Sequence, residues 1–371
     1  MLASIARPLR LASLALLKGC GALNWVRDSR WRDQRLLILC FHGISIEEEH
    51  LWRPTTYIHP TLFEKRLELL ARGRYQVLPL GDAVERLYRG DLPSRSAVIT
   101  FDDGTYDFLE HAFPALKKYG FPATVYQTTY YCDYDRPVFH LICSYMLWKR
   151  RGEVLNGGER VGLASHLDLS TESSRQAILD QLVKHVEDEK LTEQKKNELA
   201  EQLAGAIGID YAELVRKRIL QLLRPHEVSE LADQGVDFQL HTHRHRTPLS
   251  EAPFRREIRD NRHSLQSMLS GRSTRHFCYP SGVYEPEFLP WLTAEEVTSA
   301  TTCDPGIASR TSNPLLLPRF IDTSHVTNLE FEGWLSGAAS LLPRRKRRTG
   351  KRQRPEALEP SEADYSPLQS K

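Results

Sequence analysis

The sequence lacks closely spaced cysteine pairs. It has six cysteines in 371 residues, and this scattered arrangement excludes the framework of a small disulfide-stabilised protein. We interpret them as reduced, mostly buried thiols, which favours the cytoplasmic side of the cell. They are Cys20, Cys40, Cys132, Cys143, Cys278 and Cys303.

Long apolar runs are scarce as well. The N-terminal run from Leu11 to Leu17 is interrupted by Lys18 and is too short to span a bilayer. It is also minimal for a signal peptide, and Pro8 precedes it, so we favour a chain that is not secreted. Residues 1–30 instead predict an amphipathic helix. That helix either lies on a membrane surface or packs on the outside of the folded domain.

The body of the chain has no excess of positive charge, and the excess is concentrated near the end of the chain. The formal net charge is +2, yet residues 344–354 hold eight basic residues and no acidic one, so the rest carries −6. This composition predicts a basic, disordered tail over residues 341–371. The tail could contact acidic lipid headgroups, whereas nucleic acid is not expected as a partner.

The first chemically informative stretch is a pair of aspartates at the end of a predicted strand. Val98–Phe101 favours a buried strand, and Asp102, Asp103 and Gly104 follow it. Two adjacent carboxylates repel each other unless a cation lies between them. A metal ion would let one aspartate bind it and the other take a proton from an attacking water. The alternative is a strand that ends in a solvated turn.

A histidine cluster follows a second predicted strand. After Val236–Leu240, His241 and His245 are four residues apart and can converge on one ion if the chain turns there. His243, between them, is expected to point elsewhere. One carboxylate and two imidazoles would leave a divalent metal with open positions for water and substrate. The alternative is three solvated histidines.

Together these two stretches resemble the polysaccharide deacetylase family, the NodB-like carbohydrate esterases of family 4, over residues 36–325. The resemblance implies that Asp102 is the catalytic base and that Asp103, His241 and His245 bind a divalent metal. Zinc is the first candidate, with cobalt, nickel or iron as alternatives. It also implies metal-dependent hydrolysis of the amide of an N-acetylated or N-formylated sugar in a polysaccharide, an oligosaccharide or a lipid-linked glycan.

A third segment, Phe277–Gly282, resembles the proline-containing loop that lines the groove of the family and offers a backbone N–H to the oxyanion. Many members carry an arginine beside this loop to orient the base, and here Cys278 occupies that position. Arg319 is a candidate substitute. The residues predicted to bind substrate are Tyr279, Pro280, Ser281, Gly282 and Arg319.

The predicted strand Leu36–Phe41 ends in His42 and Gly43. This arrangement resembles the branch that includes poly-N-acetylglucosamine deacetylases, in which the order of the motifs is permuted. It implies that His42 protonates the leaving amine, and we favour it over His325. The alternative is a strand-end histidine bonded to a neighbouring carbonyl.

Strands alternate with helices along the chain, which predicts an α/β fold with a parallel sheet or barrel and a site at the carboxyl ends of the strands. The resemblance implies a distorted (β/α) barrel with fewer than eight repeats, placed over residues 31–340. A helical insertion of about 139–224 is predicted to form a lid or a subdomain beside the site. Two other functions stay open: a catalytically silent glycan-binding protein, and an amidase acting on a non-sugar C–N bond.

Overall fold

The computed structural model describes residues 2–343, except for the side chains of residues 2–6 and 160. The basic run over residues 344–354 lies outside the described residues, so the prediction made for it stays a prediction. The strands are β1 (Arg35–Phe41), β2 (Gly43–Ile44), β3 (Tyr57–Ile58), β4 (Gln76–Val77), β5 (Ser96–Phe101), β6 (Thr124–Gln127), β7 (Val154–Asn156), β8 (His166–Asp168), β9 (Asp237–Leu240), β10 (His276–Cys278), β11 (Ser299–Pro305), β12 (Ala308–Ser309) and β13 (Leu317–Ile321).

Helices connect most of these strands, as the alternating pattern predicted. They are α1 (Leu2–Gly19), α2 (Ala22–Arg27), α3 (Arg30–Asp33), α4 (Glu49–Trp52), α5 (Pro60–Arg72), α6 (Leu80–Arg89), α7 (Phe113–Tyr119), α8 (Phe139–Lys149), α9 (Glu172–Asp188), α10 (Glu193–Ala206), α11 (Tyr211–Arg216), α12 (Pro225–Asp233), α13 (Glu251–Met268), α14 (Phe288–Ala294), α15 (Asn328–Ser336) and α16 (Ala338–Leu341).

The centre of the fold is a closed barrel of parallel strands. Its order is β1, β13, β11, β10, β9, β6 and β5, and β5 pairs again with β1. β4 extends the sheet beside β5, and β12 pairs antiparallel with β1. Seven strands in the closed ring confirm the predicted barrel with fewer than eight repeats.

The barrel strands are buried on both faces. In β1 every residue after Arg35 is buried, and all six residues of β5 are buried. Strands of this kind need continuous apolar or β-branched sequence rather than alternation, because helices cover their outer face. The runs Leu36–Phe41 and Ala97–Phe101 meet that requirement, which explains why they were recognisable as strands.

The N-terminal helices pack on the outside of the barrel and at the end where its strands begin. Leu14 of α1 is fully buried and lies close enough to Gly333 of α15 that a Cβ there would be 2.7 Å from a Leu14 methyl. Arg32 of α3 is buried and donates to carbonyls of Arg35 and Ser96, where β1 and β5 begin. None of the described helices is both long enough and apolar enough to cross a membrane.

The segment between Gly104 and α7 contains a helical turn that is wider than an α-helical turn. A π-helical turn over Phe108–Ala112 precedes α7, and Pro114 occupies the first turn of α7. Proline has no N–H to continue the hydrogen-bond ladder, and its ring crowds the carbonyl four residues back. The helix accommodates it by widening one turn just before it.

The segment between β6 and β9 holds five helices, α8–α12. Helices α8–α11 and the β7–β8 hairpin pack around a separate apolar cluster that includes Ile142, Leu182 and Leu203. Ion pairs attach this insertion to the loop after β1, since Lys149 and Lys217 both contact Glu47, at 3.1 and 2.6 Å. The insertion therefore has its own core and meets the barrel at the end where the strand carboxyl termini lie.

Candidate active site

The polar residues singled out in the sequence gather at one end of the barrel. His42 follows β1, Asp102 and Asp103 follow β5, and His241 follows β9. These strands run parallel, so their carboxyl ends face the same side of the barrel. The structure therefore brings together residues that are almost 200 positions apart in the chain.

Asp103, His241 and His245 form a compact group of potential metal ligands. Oδ1 of Asp103 lies 3.2 Å from Nε2 of His241 and 3.2 Å from Nε2 of His245. One ligand atom from each residue lies within 4.8 Å of the others. Oδ1 of Asp103 is buried and lacks a hydrogen-bond partner. A carboxylate and two imidazoles around such an oxygen fit a divalent cation.

The imidazole of His241 is held in one orientation. Nδ1–H of His241 donates to the carbonyl of Cys278 at 2.9 Å, so Nε2 is the ring nitrogen that faces Asp103 and is left for a metal ion. The backbone N–H of His241 donates to Oδ1 of Asn261 at 2.9 Å, and the Asn261 amide donates to the carbonyl of Gln127 at 2.9 Å. Asn261 on α13 thus fixes the end of β9 against β6.

Two residues of the ligand group adopt left-handed backbone conformations. The φ angles are 70° at Asp103 and 57° at His245. Such angles are uncommon for residues with a Cβ, and they turn the chain sharply after each strand. Burial alone would raise the pKa of Asp103, but His245 and His241 lower it well below its ordinary value. The carboxylate is therefore ionised.

Asp102 faces the other way, into a buried pocket. Arg319 donates from Nη1 to Oδ1 and from Nη2 to Oδ2 of Asp102, both at 2.7 Å. The thiols of Cys278 and Cys40 lie 3.4 and 3.5 Å from Oδ2. Burial acts to raise the pKa of Asp102, but the charge and hydrogen bonds of Arg319 lower it below its ordinary value.

Arg319 is fully buried, so the structure places it beneath Asp102 rather than on a surface that a substrate could reach. Its Nε–H donates to the carbonyl of Thr302 at 3.0 Å, which fixes the guanidinium. This position on β13 fits the orienting role considered for Arg319, and Cys278 leaves the space that the guanidinium occupies, with Nη2 3.0 Å from its sulfur.

His42 is the histidine beside Asp102. Its Nε2 lies 3.7 Å from Oδ2 of Asp102, and its side chain is partly exposed. Nδ1 of His42 is buried without a hydrogen-bond partner, so the alternative of a carbonyl-bonded histidine is not observed. His325 is exposed, and its backbone carbonyl accepts a hydrogen bond from Arg7 of α1.

The proline-containing loop presents one exposed residue. Tyr279 is fully buried and its hydroxyl donates to the carbonyl of Leu315 at 2.9 Å, so its side chain supports the loop. Pro280 and Gly282 are also buried, whereas Ser281 is exposed and has a φ of 55°. Of the four residues predicted here to bind substrate, Ser281 is therefore the one that presents its side chain to solvent.

Several residues of this site were missed by the sequence analysis. Cys40 and Asn261 contact Asp102 and His241, and Glu257 accepts from the backbone N–H of Arg244 at 2.8 Å, in the turn between the two histidines. The signal for Glu257 and Asn261 was faint: both are polar residues on the buried face of α13. A buried polar side chain on a helix needs a partner, and here the partner is the histidine turn.

Comparison with known proteins assigns the family. A family model described as polysaccharide deacetylase matches residues 89–298, which is more than half of the chain. The chain belongs to the polysaccharide deacetylase family. The predicted family and its hydrolase class are thereby confirmed.

Individual relatives either match a shorter part of the chain than the family model does or share a lower sequence identity with it. A Bacillus subtilis (strain 168) protein named as a polysaccharide deacetylase, YxkH, is 33% identical over 103 residues, or 28% of this chain. The match spans 34% of that relative, about a third of its length.

Two solved structures share the fold. The Streptococcus pyogenes deacetylase PplD, in complex with acetate, has a TM-score of 0.53 and 20% identity over 82% of this chain and 97% of its own. A de-N-acetylase from Aggregatibacter actinomycetemcomitans has a TM-score of 0.51 and 13% identity over 81% of this chain and 99% of its own. At these identities the similarity shows the fold alone.

Proposed function

We propose that this polysaccharide deacetylase family member is a metal-dependent hydrolase that removes an acetyl or formyl group from the nitrogen of a sugar. Its substrate would be a polysaccharide, an oligosaccharide or a lipid-linked glycan. The observation that carries the proposal is the division between Asp102 and Asp103, since one pairs with Arg319 and the other faces His241 and His245. Family membership supports the chemistry, and the division supplies separate groups for proton transfer and metal binding.

Asp103, His241 and His245 would hold the divalent cation, with zinc as the first candidate. Bound there, a divalent cation supplies Lewis acidity toward the acyl oxygen and an attacking water. The fixed tautomer of His241 supports this role, because its Nδ1–H is committed to the carbonyl of Cys278.

Asp102 would act as the base. As the water oxygen bonds to the acyl carbon, a carboxylate oxygen of Asp102 takes the proton that the water loses. Arg319 keeps Asp102 ionised and holds its plane through two hydrogen bonds. A carboxylate with a lowered pKa is ionised at neutral pH, but it is a weak base. The attacking water must therefore be made more acidic at the site before Asp102 can take its proton.

His42 would act as the acid. When the C–N bond breaks, the amine nitrogen must gain a proton, and His42 lies on the same side of the site as Asp102. The exposed turn at Ser281 would direct a backbone N–H toward the tetrahedral oxyanion. The two products are the free amine of the sugar and the released carboxylic acid.

The proposal is tested by incubating zinc-loaded and cobalt-loaded protein with N-acetylated and N-formylated glycans and lipid-linked sugars. Mass spectrometry should detect the loss of one acyl mass, and the variant Asp102→Asn should lack this activity. Tight binding of a glycan without release of acetate or formate by the metal-loaded protein would favour the glycan-binding alternative. Hydrolysis of simple non-sugar amides at the same rate as the glycans would favour an amidase that acts on a non-sugar C–N bond.

The main reason to consider the silent alternative was Cys278 in the place of an orienting arginine. Arg319 reaches Asp102 from β13 and makes two hydrogen bonds to it, so the base does not lack a guanidinium partner. The departure from the family pattern is therefore a relocation of the arginine from the end of β10 to β13, which lies two strands away in the barrel. This observation favours the hydrolase over the binding-only protein.

We also propose peripheral membrane contact through α1 and α2, on the cytoplasmic side. On the face of α1 opposite Leu14, Leu9 and Leu16 are 62% and 73% exposed, and Trp25 of α2 is 84% exposed. All six cysteines are free, which supports a reducing compartment. Sedimentation with vesicles that contain acidic lipid should retain the wild type. The triple variant Leu9→Ser, Leu16→Ser, Trp25→Ser should stay in solution, and equal sedimentation of both would contradict the proposal.

A further inference from the structure

A second cluster of potential metal ligands lies at the ends of β1 and β5, among the proposed acid and base. Side chains alternate between the two faces of an extended chain, so Cys40 in β1 and His42 just after it lie on the same face. β1 and β5 pair in parallel, with Cys40 opposite Thr100. Two positions further along, this register brings His42 beside Asp102. The two strands therefore place a thiol, an imidazole and a carboxylate together.

The distances between these groups match those around one tetrahedral cation. Sγ of Cys40 lies 3.5 Å from Oδ2 of Asp102, and Nε2 of His42 lies 3.7 Å from the same oxygen. One ligand atom from each of the three residues lies within 4.8 Å of the others. Metal–ligand distances of about 2.3 Å for sulfur and about 2.0–2.1 Å for nitrogen or oxygen separate tetrahedral ligands by roughly 3.3–3.5 Å. The cluster therefore needs only small side-chain movements to hold a cation.

Asp102 can contribute to this cluster although Arg319 already binds it. The two oxygens of a carboxylate offer about four lone-pair positions. The hydrogen bonds from Arg319 use one position on each oxygen, so Oδ2 keeps another for a cation. Two effects weaken the site: the guanidinium repels a cation, and burial raises the pKa of the Cys40 thiol well above its ordinary value. We therefore expect it to bind less tightly than the ligand group around Asp103.

Cys40 fits this role better than Cys278, the other thiol beside the carboxylate. Nη2 of Arg319 donates to the sulfur of Cys278 at 3.0 Å, so a cation bound there would lie against the guanidinium. Cys40 instead shares its face with His42, whose side chain is partly exposed. A cation can enter past this imidazole, and Nδ1 of His42 has no hydrogen-bond partner that would resist a small rotation of the ring.

We propose that Cys40, His42 and Asp102 form an inhibitory site for a thiophilic divalent cation, either Cd²⁺ or Zn²⁺ in excess of the catalytic metal. Thiolate ligands favour such soft cations over Mg²⁺ and Ca²⁺. On binding, the S–H bond of Cys40 breaks, its proton passes to water, and a sulfur–metal bond forms without electron transfer. The cation occupies the two groups to which the proposed function assigns proton transfer. The inhibition therefore rests on the proposed function, whereas the binding of the cation does not.

The test adds Cd²⁺ to zinc-loaded protein and follows the ultraviolet charge-transfer absorption of a thiolate bound to cadmium. All proteins carry Cys20→Ser, because the exposed Cys20 could bind cadmium itself. We expect the absorption to grow with one equivalent of cation beyond the catalytic metal. Exchange of zinc for cadmium at Asp103, His241 and His245 gives no such signal, because that group has no sulfur.

Cys40→Ser should lose this absorption. Its affinity for the added cation should fall by more than the roughly 10- to 100-fold that loss of a hydrogen bond to a metal ligand costs. Cys40→Ala is the second variant, and retention of the first equivalent of zinc reports that either protein is folded. Cys143→Ala is the matched control and should keep the absorption, because Cys143 is equally buried but lies in the apolar cluster of the insertion.

Turnover measured on the same preparations tests the inhibition. When the second cation saturates, acetate release by the parent protein should fall about 100-fold or more, as expected for loss of general acid–base catalysis, and a chelator that removes only the weaker cation should restore it. Cys40→Ser should be much less inhibited, relative to its own turnover with one equivalent of zinc.

Three results would overturn the inference. They are the lack of any absorption beyond the first equivalent, an absorption that Cys40→Ser keeps and Cys278→Ser loses, and full turnover with the second cation bound. In each case the proposed function stands. If no glycan is hydrolysed under any condition, the proposed function fails, and an absorption that depends on Cys40 and His42 would still support the second cation site.

Discussion

The two sides of the active site differ although they start from neighbouring residues. On one side Asp102, Arg319, Cys40 and Cys278 are all buried, and the carboxylate of Asp102 accepts two hydrogen bonds from Arg319. On the other side Asp103 and His245 keep about a third of their side-chain surface exposed. Asp102 continues the direction of β5, whereas the positive φ at Asp103 turns the chain toward the cleft.

This difference matches two chemical tasks. A base must stay in one protonation state and one orientation, and burial beside a fixed cation provides both. A metal site must exchange water, substrate and product, which requires an open face. The comparison therefore teaches that two adjacent residues can serve both tasks, because Asp102 continues the direction of β5 while the left-handed conformation of Asp103 turns the chain toward the cleft.

Loss of a metal ligand on the partly exposed side of the site should have the largest effect on activity. In His241→Ala we expect both metal binding and turnover to be lost, because one of the ligands and the link to Cys278 disappear. Metal content by atomic emission and acetate release should fall together. His243→Gln is the matched control, since His243 bonds Thr129 at 2.8 Å and stands outside the ligand group, and it should retain metal. Full metal occupancy in His241→Ala would exclude the proposed ligand set.

Neutralising the carboxylate on the buried side should separate proton transfer from metal binding. In Asp102→Asn we expect metal content to stay at the wild-type level while kcat falls roughly 100- to 10,000-fold, the range for loss of a general base. Turnover and metal content should be measured on the same preparation. Retained turnover with normal metal content would show that another group takes the proton.

Removing the cation beneath the base should have a smaller effect on turnover and a measurable effect on stability. In Arg319→Met the carboxylate of Asp102 loses its partner, so its pKa rises and the acidic limb of the pH profile of kcat/KM moves to higher pH. Breaking one half of a buried ion pair costs about 3–5 kcal/mol. Denaturant unfolding and pH profiles measure both effects. An unshifted acidic limb would mean that the profile does not report on Asp102.

The sequence predicted those parts of this comparison that depend on short segments. A strand followed by polar residues is a local pattern, so His42, Asp102, Asp103 and the histidine turn were identified before the structure. The proline-containing loop was recognised through family resemblance, but its exposure was not. The sequence predicted that Tyr279 binds substrate. In the folded barrel its hydroxyl instead donates a hydrogen bond to the carbonyl of Leu315.

The buried side was harder to predict because its contacts are long-range. Arg319, the partner of Asp102, lies 217 positions away in the sequence. Its contact with Asp102 depends on the register of β13 in the closed barrel, which no short segment of sequence specifies. Asn261 was hidden in the same way, because its neighbours on α13 suggested only an amphipathic helix.

A third buried carboxyl, Asp107, sharpens the comparison because it forms no salt bridge within residues 2–343. It accepts a hydrogen bond from the Ile44 N–H at 3.0 Å, and burial raises its pKa from 3.8 to about 8, with a further contribution from Glu49. A group whose pKa is raised on folding binds more protons in the native state, so its contribution to stability declines as pH rises from about 4 to 8. In Asp107→Asn that decline should disappear. The free energy of unfolding, measured from pH 5 to 7, should fall in the wild type by up to ~1.4 kcal/mol per pH unit relative to the variant. Parallel curves for the two proteins would show that Asp107 is ionised in the folded state, and that burial beside this site does not by itself keep a carboxyl neutral.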